Sequence, residues 1–306
     1  MTQAPTSPQI YQIFYKNEQR PHLEENFIPY DNTANPRPEW CEYYVFRDAY
    51  QKGLCSCGPT GFLSWKYHEK TGLNGEAFHK LVNENPGYDV YFINPFVDEA
   101  ALYLNIWLQG EKNHPGLIEL TQKIFKKIGY KFDLATTPMP VERTLFCNYF
   151  VATPKFWQAY MRFCEPIYHE IENGLDAETK AFLASRADPV INADYRPFIF
   201  ERLFSTFLMQ DTQFKAIAYN WTQASLQTRY RGLAPIIEKL TNLKTNQNIK
   251  INEQEFNQIA GEGQRHPDYG PNASWTKKKL KKLLNQSLFK IPFVKDGAKA
   301  IRRALN

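Results

Sequence analysis

Two adjacent residues of opposite charge lie inside an apolar, helix-forming stretch. Glu201 and Arg202 occur within RPFIFERLFSTFL, residues 196–208. At 100° per residue, an apolar stripe centred on Phe200 places Glu201 between apolar neighbours and turns Arg202 away from them. A carboxylate in such a position must be paired, hydrogen-bonded or raised in pKa, which makes it a candidate catalytic group. A structural ion pair explains the same pattern equally well.

The residues just before this stretch add further ionisable groups. Asp194, Tyr195 and Arg196 precede Pro197, so several charges converge at the predicted start of the helix. Glu201 or Asp194 is our candidate general base, which would take the proton of a hydroxyl group. Arg196 and Arg202 are candidate ligand-binding cations, and Arg202 is a candidate contact for a diphosphate.

A second group of polar residues occupies the turn LQGEKNHPG, residues 108–116, which ends one predicted helix and begins another. His114 is a candidate acid or base there, with Glu111 as its partner or as an acceptor for substrate hydroxyls. Such a turn also exposes unpaired backbone N–H groups. An ordinary solvated turn, with Pro115 opening the next helix, accounts for the same residues.

Polar residues also follow or interrupt the predicted strands. Ligands of open α/β sheets bind at the carboxyl ends of strands, so residues there are candidate contacts for a nucleotide or sugar. Lysines would hold phosphate groups, and a tryptophan would stack on a sugar or a base. A surface lysine, a core tryptophan and a structural asparagine remain the alternatives. These candidates are Tyr15, Lys16, Ser64, Trp65, Lys66, Asn94 and Asn148.

Several common motifs are missing from the chain. The sequence contains no G-x-G-x-x-G, G-x-x-x-x-G-K-[ST], G-x-S-x-G or H-E-x-x-H, which removes the main support for dinucleotide, P-loop, hydrolase and zinc-protease sites. It also contains no Asp-x-Asp. Cys55 and Cys57 are not followed by a second pair at metal-ligand spacing, so the five cysteines are interpreted as reduced, structural thiols.

Apolar runs rich in β-formers alternate with amphipathic helical patterns along most of the chain. Strands are predicted at 10–15, around 61–65, at 88–96, at 144–152 and within 214–221. Helices are predicted between them, including one over 98–111, and the stretch from 16 to 38 is interpreted as a long connection. Connections too long for hairpins indicate an α/β sandwich with a largely parallel sheet. We expect a disordered segment at 1–9, one α/β domain at 10–232 and a helical extension at 233–306.

The charge of the chain is concentrated at its end. The formal charge is +5, but residues 275–306 alone carry ten Lys and Arg and one Asp. Leucines and Phe289 recur at helical spacing among these lysines, which favours a segment lying on an anionic membrane surface. A nucleic-acid arm and a solvated helix are the alternatives. With no secretion signal and no apolar run of membrane-spanning length, we expect a cytoplasmic protein, peripheral at the inner membrane.

Two stretches together carry a family resemblance. LFCNYFVATPKFWQAYM, residues 145–161, followed by YRPFIFERLFSTFLM, residues 195–209, resembles glycosyltransferase-like proteins of bacterial capsule and lipopolysaccharide gene clusters. CEYYVFRDAY and GFLSWKY match the earlier region of those proteins, and the likeness covers roughly residues 10–220. It implies a GT-A-type, Rossmann-like nucleotide-sugar domain. The positions it touches are Asn148, Tyr149, Glu201 and Arg202, and less firmly Glu42 and His114.

The resemblance implies a glycosyltransferase that moves a sugar from a nucleotide donor to a surface-polysaccharide acceptor, and metal-independent transfer is one of the mechanisms that it allows. The missing Asp-x-Asp departs from the usual GT-A pattern, so phosphate charge would be met by Lys and Arg or by a divalent ion, Mg²⁺ or Mn²⁺, held elsewhere. We expect a nucleotide-sugar donor, a glycan or lipid-linked acceptor and the membrane surface as partners, and no nucleic acid. The alternative is a non-catalytic glycan- or nucleotide-binding module of the same fold.

Overall fold

The structure is a computed structural model that describes residues 7–188, 192–245 and 252–269. Its centre is a six-stranded sheet in the order β2-β1-β3-β5-β4-β6. Strand β5 is antiparallel to both of its neighbours, and the other pairings are parallel. The strands are β1 (Gln9–Phe14), β2 (Ile28–Asp31), β3 (Thr60–Ser64), β4 (Val90–Phe92), β5 (Phe150–Ala152) and β6 (Ala216–Ala218).

Twelve α-helices connect and cover these strands in the described part of the chain. They are α1 (Cys41–Gln51), α2 (Tyr67–Thr71), α3 (Gly75–Asn83), α4 (Val97–Leu102), α5 (Ile106–Asn113), α6 (Leu117–Lys127), α7 (Pro154–His169), α8 (Ala177–Leu183), α9 (Arg196–Gln210), α10 (Gln223–Tyr230), α11 (Ala234–Thr245) and α12 (Glu253–Gln264). The predicted α/β architecture with a mostly parallel sheet is therefore confirmed.

Alternate residues of the strands enter two different hydrophobic clusters. Val90 and Phe92 of β4 pack in the larger cluster with α1, α5, α6, α7 and α9. Tyr91 and Ile93 point the other way, into a cluster that includes α2 and α3. This period of two is the expected geometry of a strand covered on both faces. Helices consequently lie on both sides of the sheet.

The order of the strands reverses between β1 and β3. The chain passes from β1 outward to β2, and then returns across β1 to form β3 on the other side. Helix α1, which follows β2, packs in the larger cluster, whereas α3, which follows β3, packs on the opposite face. In open α/β sheets, a ligand-binding crevice forms at such a reversal, beyond the carboxyl ends of the two strands that flank it. Here those strands are β1 and β3. Because β5 is antiparallel, its first residues lie at that same edge.

The last described helices form a third cluster with α4. Leu233, Ile237 and Leu240 of the α11 region pack with Ala101 and Leu102, and Phe256 of α12 joins them. The described part of the extension therefore packs against α4 of the α/β domain through its apolar residues. The basic segment 275–306 and most of the predicted disordered start lie outside the described residues. The strand β1 already begins at Gln9, one residue before the predicted domain boundary.

Four sequence-based elements differ from the structure. The strand predicted at 88–96 is limited to the three residues of β4. The helix predicted over 98–111 is two helices, because Asn105 caps α5 through Leu108 N (2.8 Å) and ties its amide to Leu134 O and Thr137 O. The strand predicted at 144–152 is reduced to its last three residues. The connection predicted from 16 to 38 contains β2, an edge strand whose residues are mostly exposed.

All five cysteines are free thiols. Among the described residues, no helix is long and apolar enough to cross a membrane.

Candidate functional site

Ionisable and polar side chains from five elements meet near the crevice beyond β1 and β3. They come from the residue after β1, the start of α1, the end of α2, the turn before β5 and the second turn of α9. We call them the carboxylate cluster. Its members are Tyr15, Glu42, Lys70, Cys147, Asn148 and Glu201.

Glu201 joins helix α9 to the turn before β5. Its Oε1 accepts a hydrogen bond from the backbone N–H of Cys147 at 2.9 Å. The Cys147 Sγ lies 3.0 Å from Lys70 Nζ. Burial disfavours the charged lysine, but the neighbouring Cys147, Tyr149 and Glu201 outweigh it and hold the pKa of Lys70 well above its usual value. Lys70 therefore links α2 to Glu201 and to the turn before β5.

The turn before β5 has an unusual backbone. Cys147 and Asn148 are consecutive non-glycine residues in the left-handed region, with φ of 67° and 56°. Such conformations cost free energy and persist only where surrounding contacts impose them, often at functional sites. They also explain why the predicted strand over 144–152 starts only at Phe150. The side chain of Asn148 is 7% exposed, and its buried Oδ1 has no hydrogen-bond partner in the described chain.

Glu42 and Tyr15 form the other side of the cluster. Burial raises the pKa of the Glu42 carboxyl and the charge of Glu201 adds to this, whereas Lys70 acts in the opposite direction. The Tyr15 hydroxyl lies near Glu42, and burial together with that carboxylate raises its pKa well above 10. This hydroxyl is buried, and although it is close enough to Glu42 for each group to shift the pKa of the other, it reaches hydrogen-bond geometry with no described residue. A buried, unsatisfied hydroxyl is costly unless a ligand or water completes it.

Backbone strain also occurs next to Glu42. Cys41, the first residue of α1, has φ 46° and ψ −128°. Burial raises the pKa of its thiol to about 12, and the negative charge of Glu42 adds to this. The thiol is consequently uncharged at neutral pH, and the strained residue serves to present Glu42 at the start of the helix.

The prediction for the orientation of the two charges on α9 is wrong. Arg202 is 2% exposed, whereas the side chain of Glu201 is 26% exposed. The guanidinium of Arg202 donates to Ile106 O (3.0 Å), Phe198 O (2.7 Å) and Gln109 Oε1 (2.8 Å). The reason is that α9 is buried over most of its circumference, so an apolar stripe has no unique centre. Its Nη1 also lies 3.5 Å from Glu201 Oε2, so the two adjacent charges form an ion pair. Arg202 is therefore held inside the protein and is not placed to contact a diphosphate.

Asp194 and Arg196 are paired with each other. The Asp194 carboxylate accepts from the backbone N–H of Arg196 (2.9 Å) and forms an ion pair with its guanidinium. Burial raises the pKa of Asp194, and Arg196 opposes that shift. The pair fixes the start of α9, and the Arg196 guanidinium also lies over the Trp40 ring, 5.6 Å from its centroid. A general-base role for Asp194 would require this pair to open.

His114 and Glu111 do not form the predicted pair. Glu111 accepts from the N–H groups of Gly116 (2.6 Å) and Ile118 (2.8 Å), so it caps the start of α6. His114 is buried, with its Nδ1 3.1 Å from Ala187 O and its ring stacked on Phe198 at 3.6 Å. Burial lowers the pKa of His114. Both side chains are thus used in joining helices.

The remaining strand-end candidates surround the cluster. Ser64 is buried, and its Oγ lies 3.0 Å from the Tyr149 hydroxyl. Trp65 is partly buried, with the Lys66 Nζ 5.2 Å from its ring centroid. Lys16 is exposed after β1. Asn94 uses its Oδ1 to accept from Phe96 N at 3.0 Å, which makes it a turn-forming residue.

Metal-ligand geometry was sought throughout the described segments. No group of three or more His, Cys, Asp or Glu side chains within them is arranged to hold a metal ion.

Three members of the carboxylate cluster were missed by the sequence-based choice of site residues. Lys70 and Cys147 carry no local signal, because they meet only through the fold, from α2 and the turn before β5. Glu42 stood in the matched region of the family resemblance, but its raised pKa depends on burial. The signal available in the sequence for Glu42 was its position directly after Trp40 and Cys41, at the start of a predicted helix.

Comparisons of the chain with models of protein families, with curated proteins and with solved structures found no significant match.

Proposed function

We propose that this chain is a glycosyltransferase that moves a sugar from a nucleotide-sugar donor to a hydroxyl of a surface-polysaccharide acceptor. The observation that carries the proposal is the carboxylate cluster at the strand-order reversal, where open α/β sheets bind their ligands. The cluster combines carboxylates with a buried hydroxyl and a buried amide oxygen that lack partners in the described chain. The GT-A variant of the fold and the polysaccharide acceptor rest on the sequence resemblance.

Glu42 is the general base of the proposed reaction. It takes the proton of the acceptor hydroxyl while that oxygen forms a bond to the anomeric carbon. The bond from that carbon to the donor diphosphate breaks, and its electron pair leaves with the diphosphate oxygen. One such displacement inverts the anomeric centre. A carboxyl with a raised pKa is a stronger base than an ordinary glutamate.

Glu201 and the orphaned groups position the acceptor in this scheme. Glu201 already accepts the Cys147 N–H, so it is the weaker candidate for the base and the better one for holding the strained turn. Tyr15 donates its hydroxyl proton, and Asn148 Oδ1 accepts from a substrate hydroxyl. Both contacts replace hydrogen bonds that the described chain does not supply.

A panel of nucleotide sugars incubated with the purified full chain tests the proposal. Release of nucleoside diphosphate, followed by mass spectrometry or NMR, should be catalysed by the wild type. Glu42→Gln should lower the rate about 100-fold or more, the range for loss of a general base. Glu84→Gln, an exposed acid at the end of α3, is the matched control and should leave the rate unchanged.

The pH profile separates the two glutamates. The rate should rise with pH as Glu42 loses its proton, and at a higher pH than an ordinary glutamate would require. Glu42→Gln should remove this limb, whereas Glu201→Gln should keep it at a lower rate. If the protein binds a donor but never turns it over, the catalytic proposal is wrong, and the alternative of a non-catalytic binding module is favoured.

A further inference from the structure

A basic pocket adjoins the carboxylate cluster on the side of α10. Its volume is about 270 Å³, and it lies between the end of α2 and the end of α10. Lys70 belongs to both the pocket and the cluster. Arg229 and Arg231 provide two more cations, and Glu69 is the acid in the lining. The pocket is thus positively charged beside a site that holds two carboxylates.

Arg229 builds the wall of this pocket. Its guanidinium donates to Pro95 O (2.7 Å) and Thr71 O (2.8 Å), and it also bonds Lys70 O. It therefore ties α10 to the end of α2 and to the loop after β4. Because these bonds engage both of its terminal nitrogens, Arg229 is a positioning residue that also contributes charge.

Arg231 extends from a strained backbone. Its φ of 52° and ψ of −123° belong to a region that favours glycine. The next residue, Gly232, donates its N–H to Asp268 Oδ2 at 3.2 Å, and His266 packs close against it. The segment 266–268 therefore holds this turn in place. Arg231 is exposed at the rim of the pocket, so its guanidinium is available to a ligand.

The donors that face this pocket suit an anion with several oxygens. A lysine ammonium has three protons, and the Lys70 ammonium has one acceptor at Cys147 Sγ. The guanidinium of Arg231 offers a planar fork that matches phosphate oxygens. Thr228 lines the same wall, but its hydroxyl proton is donated to Ala224 O at 2.9 Å, so the two cations are the donors that a ligand would meet.

We propose that Lys70 and Arg231 form a binding subsite for a diphosphate group, with Arg229 holding the pocket in shape. This deepens the proposed function and rests on it, because the leaving diphosphate of a sugar donor would sit next to the carboxylates. Lys70 and Arg231 replace Arg202 as the candidate contacts for the diphosphate, because the Arg202 guanidinium is hydrogen-bonded inside the protein. A nucleoside diphosphate and an isoprenoid diphosphate share this chemistry.

Isothermal titration of the full chain with inorganic pyrophosphate tests the subsite directly. The wild type should bind, and higher salt should weaken binding. Arg231→Gln should weaken it about tenfold or more, the loss expected for a charge-assisted contact. Because Arg231 is exposed, this variant should keep its fold, which circular dichroism verifies. Titrations with uridine or guanosine diphosphate and with geranyl diphosphate then distinguish the two sources by their relative affinities.

An exposed arginine on another helix is the matched control. Arg162→Gln removes a cation of α7 outside the pocket and should change pyrophosphate affinity less than twofold. Loss of binding in this variant with retention in Arg231→Gln would overturn the proposal, as would no pyrophosphate binding by the wild type. Glu42→Gln should still bind pyrophosphate. The binding test is therefore independent of the catalytic test, and the subsite can be confirmed even if the catalytic proposal is wrong.

Discussion

Two regions of the molecule bury polar groups in opposite ways. Around α4, α5 and α9, nitrogens of Arg202, His114 and Lys244 all contact backbone carbonyls, and Arg202 also donates to Gln109 Oε1. In the carboxylate cluster, Lys70 Nζ contacts a thiol, and the Tyr15 hydroxyl interacts with the Glu42 carboxyl without reaching hydrogen-bond geometry. We call the first region the cationic interior.

The difference distinguishes polar groups that hold the fold together from polar groups that are left to bind a ligand. Backbone carbonyls buried in the first region need hydrogen-bond donors, and Arg202, His114 and Lys244 supply them. The cluster instead keeps unused hydrogen-bonding capacity and a strained turn, which lower stability unless something binds there. Removing groups from the first region should therefore cost folding free energy, and removing them from the second should cost activity.

The largest stability effect should come from Arg202→Met. The substitution leaves Ile106 O and the Gln109 amide without their donor inside the protein. We expect a loss of about 3–5 kcal/mol in the free energy of unfolding, the cost of breaking a buried charged network. Urea denaturation followed by circular dichroism measures it.

The neighbouring Glu201→Gln is the matched variant, because a glutamine oxygen can still accept from Cys147 N. The variant loses only the charge that lies 3.5 Å from the Arg202 guanidinium, and for such a partly exposed ion pair the cost should stay at about 1 kcal/mol. Equal costs for the two substitutions would remove the distinction between the regions.

Gly110→Ala should be the next most damaging change. A Cβ at this position of α5 would overlap the Arg202 guanidinium and the Leu117 side chain. Since both are buried, we expect a loss of about 1–3 kcal/mol despite the better helix propensity of alanine. Gly261→Ala in α12 is the control, because its Cβ would meet the flexible end of Arg265 at 3.3 Å. That variant should be neutral or slightly stabilising by thermal denaturation.

Lys244 tests the cationic interior through pH. Its Nζ donates to Ala100 O (2.6 Å) and Tyr103 O (2.8 Å), and burial lowers its pKa to about 7. The unfolded chain, with a lysine pKa near 10.4, binds more protons above pH 7, so this group makes stability rise with pH. Between pH 7 and 9 the rise should be on the order of 1–2 kcal/mol.

The comparison with Lys244→Met isolates that contribution. Burial raises the pKa of the Cys41 and Cys55 thiols to about 12, which acts in the opposite direction above pH 8 in both proteins. The difference in unfolding free energy between wild type and variant should therefore grow with pH. A difference independent of pH would show that Lys244 does not titrate in this range.

The sequence predicts the sheet well because strands and helices have different hydrophobic periods. The predicted strand at 10–15 differs from β1 by one residue at each end, and the helix from Arg196 was correctly placed. The hydrophobic pattern failed to predict elements whose position depends on tertiary contacts. The edge strand β2 has mostly exposed residues and so no apolar run, and the break at Asn105 depends on carbonyls about 30 residues away.

The site was predicted only in part for the same reason. Tyr15, Asn148 and Glu201 were found because a polar residue at a strand end or inside an apolar run is visible locally. Arg202 was misplaced because helical phase has no meaning for a helix buried on nearly all sides. Lys70 and Glu42 owe their electrostatic properties to each other and to Glu201, which no local pattern contains.

The smallest stability change, and the sharpest test of the comparison, should come from Tyr15→Phe. Its hydroxyl is buried without a hydrogen-bond partner in the described chain, so its removal should change the free energy of unfolding by less than about 0.5 kcal/mol, or stabilise the protein. In Tyr30→Phe, the hydroxyl that donates to Asp48 at 3.0 Å is lost, and about 1 kcal/mol should be lost with it. Transfer activity should show the reverse order, with Tyr15→Phe slowed and Tyr30→Phe unaffected. A Tyr15→Phe variant that is both destabilised and fully active would make that hydroxyl part of the framework, and the cluster would then resemble the cationic interior.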